Sequence, residues 1–124
     1  MAKDYKPLDL LSKEQLKEIR EKKDWINVVS ISLNWLQIIF SMALFFYFPN
    51  VLTFLLAVII IGSRQFALAV LAHDGAHNLL FSNEKINDFA SQWFCAFPLF
   101  SDNRPYRPYH LAHHRFTESE NDPD

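Results

Sequence analysis

The sequence predicts an all-α membrane protein, an antiparallel transmembrane hairpin with amphipathic interfacial helices at one end. Three observations carry that expectation: two unbroken apolar segments of spanning length, a near-absence of charge across them, and the gathering of every histidine just beyond them. Half of the 124 residues are apolar, and Phe alone occurs 12 times. Seven of the 12 basic residues, Lys3, Lys6, Lys13, Lys17, Arg20, Lys22 and Lys23, precede position 24, whereas Arg64 is the only charge across 25–72. That is a membrane pattern, with no basic patch of the kind a nucleic acid requires. The single cysteine, Cys95, allows no internal disulfide. A secretory signal would place its apolar run much nearer the amino terminus, so the first apolar segment is expected to be a retained span.

Residues 1–11 carry no period, and Pro7 argues against a helix through them. Ser12 with Gln15 forms a capping-box signature, preceded by the apolar Leu11, and predicts a leader helix over 12–23. Leu16 and Ile19 share one face of it, which suits a helix on the membrane surface; a solvated helix is the alternative. The segment 25–48 is long enough to cross a hydrocarbon core of about 30 Å. Pro49 and Asn50 then form a turn, and 51–72 makes a second span. With so short a connection the two must run antiparallel, and 124 residues cannot wrap both inside a soluble core. The basic leader favours the cytoplasmic side, so the chain returns to that side at His73. Trp25 and Tyr47 fall where interfacial anchors belong.

Folding the hairpin about its turn sets Asn34, Gln37, Arg64 and Gln65 in one layer, about 12–14 Å below His73 by helical rise. A polar seam is expected there, with Gly62 admitting close approach of the helices and Asn34, Gln37 or Gln65 helping to satisfy Arg64. Snorkelling of Arg64 toward the interface and contact with a polar substrate group are the alternatives.

After the second span, Phe81 and Ile86 bracket Ser82 as a hydrophobic staple around a cap. Ile86, Phe89, Ala90, Trp93, Phe94 and Phe97 recur at helical spacing, with Asn87, Asp88, Ser91 and Gln92 opposite. The stripe suits a core face or an interfacial one; at about 14 residues it is too short to span, and the helix is expected along the inner interface. Pro98 ends or bends it, and Ser101, Asp102, Asn103, Arg104, Pro105 and Pro108 read as a turn-rich connection.

The histidines fall into two clusters, HDGAH at 73–77 and HLAHH at 110–114. His73 and His77 are i,i+4 neighbours, while His110 lies three before His113 and four before His114, so each cluster can present its rings from one helical face. A lone histidine is usually a hydrogen-bonded core residue; five in two face-matched sets beside apolar segments point to metal. Neutral imidazole suits iron, zinc, copper and nickel. Asp74 stands where the zinc proteases carry a glutamate base, which excludes that motif.

These motifs, followed through to YRPYHLAHHRFT, resemble the integral-membrane fatty acid desaturase and hydroxylase family, which includes carotenoid hydroxylases and ketolases. His73 and His77 match its first HxxxH box, and His110, His113 and His114 its HxxHH box. The resemblance covers about 30–124. It implies two iron ions held by the five histidines, O2 as oxidant, a lipid-like substrate in the bilayer, and an electron donor of the ferredoxin or cytochrome b5 type. Asp74 is then expected to accept a ring N–H from a ligand histidine or to face another basic group; a solvent-facing carboxylate and a direct ligand are the other readings. Family members continue with another hairpin and a third histidine box, so the chain is expected to be an amino-terminal fragment that is inactive alone. A non-enzymatic haem or metal carrier is the competing class.

Overall fold

A computed structural model describes residues 10–123. The expectation for the first residues, including Pro7, lies outside them apart from Leu10 and Leu11. Among the described residues the fold is helical without strands. The leader helix α1 (Lys13–Ile19) opens with the full capping box, Ser12 Oγ accepting from Gln15 N and Gln15 Oε1 accepting from Ser12 N. Two long helices follow, α2 (Asp24–Tyr47) and α3 (Val51–Ala76), both long and apolar enough to cross a membrane. Between them, Asn50 and Thr53 form a second reciprocal cap that starts α3 immediately after the turn.

The hairpin closes along Ile31, Asn34, Ile38 and Ser41 of α2 and along Thr53, Ala57, Leu68, Leu71 and Ala72 of α3, all buried. Gly62 lies off this line. It is exposed, and a methyl group there would meet no atom within 4 Å. Counting from the turn fixes depth but not rotation, and Gly62 is turned away from α2. The expected seam is not closed by hydrogen bonds: Asn34 donates to Ser30 O of its own helix, Arg64 Nε to Ser63 Oγ, and Gln37 is exposed.

α3 runs four residues past the expected span and so carries His73 on the helix, with His77 as its C-cap. Asn78, at φ 57°, reverses the chain. Its N–H bonds Gly75 O at 3.0 Å and that of Leu79 bonds Asp74 O at 2.8 Å, a Schellman motif with Asn in the left-handed position.

The next helix is not capped by Ser82. Asn83 caps α4 (Glu84–Ala90) by accepting from Lys85 N and Ile86 N, while Ser82 bonds Asp24 Oδ1 through its N–H at 2.8 Å and its hydroxyl at 3.0 Å. Asn27 Nδ2 donates to Leu80 O, so the start of α2 grips the loop after the first histidine box. α4 passes into a π-helical turn, Ser91–Ala96, then a 3-10 turn, Phe97–Leu99. Pro98 has no N–H for the Phe94 carbonyl four residues back, and Trp35 Nε1 of α2 supplies the missing donor at 3.0 Å.

This segment is turned polar side in. Phe89 and Trp93 are each 56% exposed, while Asn87 is 0% exposed and Ser91, Gln92 and Cys95 are buried. The aromatic stripe therefore does not form a core face here.

Finally α5 (Asn103–Phe116) begins within the stretch expected to be irregular. Asp102 caps it through Arg104 N. Pro105 falls in the first turn, whose N–H groups have no helical acceptor, and Pro108 costs only the bond to Arg104 O.

The backbone of α3 approaches the segment after α4 closely at Gly75. A side chain there would collide with Ser91 Cβ and stand 2.8 Å from its Oγ. Gly75→Ala is therefore expected to cost about 1–3 kcal/mol and to lower the thermal midpoint in detergent, with Ser91→Gly restoring part of the loss; an unchanged midpoint in G75A would disprove the contact.

Candidate metal centre

The end of α3 leaves carbonyls without intrahelical donors, and side chains from the following segments take them. Just inside that end, Asn103 Nδ2 adds a second bond to Ala72 O at 3.0 Å. Asn87 Nδ2 and Arg107 NH2 both donate to Gly75 O at 2.9 Å. Asn87 Oδ1 also accepts from Leu80 N and Phe81 N, and Gln92 Oε1 accepts from Asn103 N. Arg107 is anchored on Asp88, whose carboxyl is held below the usual range chiefly by that hydrogen bond. These contacts dock the start of α5 on the end of α3 and bring the two histidine clusters together.

Four of the five sequence-selected histidines converge. The ligand nitrogens of His73, His77, His110 and His114 all lie within 4.8 Å of one another. His77 Nε2 and His114 Nε2 stand 3.0 and 2.9 Å from His110 Nε2. Two nitrogens bound at about 2.1 Å and at right angles around one ion would be about 3.0 Å apart, so the donor set fits a metal. His77 and His110 have lowered pKa values, first because burial disfavours the imidazolium and then because of the positive charge of His73 and His114. Both shifts favour the neutral, metal-binding form.

His113 is outside that group of four. Its Nδ1 lies 2.8 Å from Asp122 Oδ1, and its ring is 5.9 Å from that of His114. Asp74 Oδ1 lies 3.4 Å from His73 Nδ1, a long contact in the place the sequence suggested. Cys95 supplies no thiolate, since burial pushes its thiol up to about 12. Arg64, Asn34, Gln37 and Gln65 belong to the spans and take no part in the cluster.

Sequence reasoning missed Asn87, Gln92, Asn103, Arg107 and Asp122. For Asn87, Gln92 and Asn103 the available signal was the run of amides between the boxes, because unfilled carbonyls at a helix end require donors.

Hairpin and cluster together define a helical membrane module carrying an imidazole donor set at one end. The family model for fatty acid desaturase matches residues 49–124, and the chain belongs to that family. It is 41% identical over 71 residues to dihydrorhizobitoxine desaturase of Bradyrhizobium elkanii, a match covering 56% of this chain and 20% of that protein. It is 38% identical over 79 residues to the omega-3 fatty acid desaturase fat-1 of Caenorhabditis elegans, covering 63% of this chain and 19% of that protein. The chain thus matches about a fifth of the length of these relatives. No solved structure matches it.

Two outcomes test this arrangement. Asn87→Ala leaves the Leu80 and Phe81 N–H groups without their acceptor and is expected to lower unfolding free energy by at least about 2 kcal/mol, read by denaturant titration in detergent. In the metal-free protein, His77 and His110 titrate below their ordinary 6.5 when folded. The unfolded chain therefore takes up protons first, and their stabilising contribution is complete above about 6.5 and falls as pH drops through and below that value. Thermal midpoints measured from about pH 7.5 to 5 should fall, and less steeply in the His77→Ala, His110→Ala double variant.

Proposed function

We propose that this chain contributes the first two histidine boxes of an O2-dependent, non-haem di-iron membrane oxidoreductase that desaturates fatty acyl chains with electrons from an external donor. The observation that carries the reading is the convergence of imidazoles from both boxes at one end of an apolar hairpin, in a member of the fatty acid desaturase family. His73, His77, His110 and His114 would hold iron, with His113 offered from the same helix as His110 and His114. Bound iron would supply O2 activation and the oxidising power to remove hydrogen from an unactivated C–H bond.

The remaining work falls to the chain itself. Neutral imidazoles present lone pairs and bring no charge to offset that of the metal, so Asp74 beside His73 is suited to offset part of it. The exposed Phe89, Trp93 and Phe94 embed the segment between the boxes in the apolar phase that delivers an acyl chain. The cluster sits at the open end of the hairpin, where Asp24 and Asn27 at the start of α2 clasp the loop after the first box. Because the leader is basic, that end is placed on the cytoplasmic side of a multi-pass protein, where a soluble electron donor can reach it.

The test is iron analysis and lipid analysis of the whole protein expressed in a host lacking the activity. Two non-haem irons per chain and new double bonds in host acyl chains are expected, with both lost in His77→Ala. Hydroxylated or keto products would instead assign the site to the hydroxylase or ketolase branch, and a haem absorption band without non-haem iron would overturn the oxygenase reading.

A further inference from the structure

The segment after the second box, TESENDPD, looks from its sequence like a polar tail, yet through residue 123 it folds back along α5. Thr117 Oγ1 donates to His113 O at 2.6 Å, and Ser119 Oγ to Phe116 O at 2.6 Å. Glu118 adopts the left-handed conformation at φ 62°, and Asp122 N then donates to Ser119 O at 3.0 Å. Tyr109 Oη donates to Pro123 O at 3.1 Å, fastening the far end of the turn to the helix.

This turn brings the carboxylate of Asp122 to His113. Asp122 Oδ1 lies 2.8 Å from His113 Nδ1, its Oδ2 accepts from Glu118 N at 3.2 Å, and its side chain is only 13% exposed. An ionised carboxylate only accepts, so the shared hydrogen belongs to His113 Nδ1 and the lone pair of the ring to Nε2. By comparison, the Asp74–His73 contact is longer, at 3.4 Å, and Asp74 is 42% exposed.

We propose that Asp122 is a positioning residue for the metal centre. It fixes the tautomer of His113 so that Nε2 is the coordinating atom, on a ring 5.9 Å from that of His114 and 6.4 Å from that of His110. The inference rests on the iron-binding reading above and adds to it a residue outside both histidine boxes.

The experiment uses the whole protein in nanodiscs, with iron retention against a chelator as the readout for wild type, Asp122→Ala, Asp122→Asn, His113→Ala and the His113→Ala, Asp122→Ala double variant. Asp122→Ala is expected to weaken iron binding about 10–100-fold without moving the thermal midpoint of the metal-free protein. Asp122→Asn, whose amide oxygen can still accept from Nδ1–H, should lose less. In the His113→Ala background the Asp122 substitution should have no further effect. Wild-type retention in D122A, or the same loss with and without His113, would overturn the inference, the latter because Asp122 would then act only through the fold of its turn. A wild type without iron would overturn the iron-binding reading and this inference with it.

Discussion

The arrangement depends on how the carboxyl end of the second long helix is satisfied. A helix that reaches the edge of the hydrocarbon region ends in carbonyls that need donors, and lipid supplies none. Here Asp74 and Gly75 receive theirs from Leu79, Asn78, Asn87 and Arg107, and Asn103 adds a second bond to Ala72 O just inside the end. The same bonds fix the direction in which His73 and His77 leave the helix and draw in the helix that carries His110 and His114. Capping and site assembly are one set of contacts.

That dependence explains the inverted polarity between the two boxes. The face bearing Asn87, Ser91 and Gln92 would ordinarily meet water, but here the end of α3 inside is the polar surface it serves. The aromatic face therefore turns out and the amides turn in. Gly75 completes the fit, since any larger residue would hold the amide-bearing segment away from the carbonyls it serves.

The parts of this structure legible in the sequence were those set by strong, local signals. Length and apolarity located the hairpin, the Ser12–Gln15 pair located the leader cap, and helical spacing brought His73 and His77 to one side. What depended on rotation about a helix axis was less legible. Gly62 had the right depth and the wrong face, Asn34 and Arg64 shared a layer without joining the helices, and the Asp102 cap outweighed the prolines behind it. Asp122 was invisible because its role comes from a turn whose geometry rests on one residue in the left-handed region, a choice that no hydrophobic period records.

The π-helical turn has a consequence for how such a chain can change its length. A wider turn is what remains when one extra residue is accommodated inside an α-helix. Deleting a single residue from Ser91–Ala96 would let the helix tighten and swing everything beyond it by about 100°. Asn103 and Arg107 would leave the carbonyls of Ala72 and Gly75, and His110 would go with them. The exposed Trp93 and Phe94 could be exchanged while the residue count of this stretch stayed fixed. Sequence drift and a change of length are thus unequal events here, and alignment gaps between functional relatives should avoid these six positions.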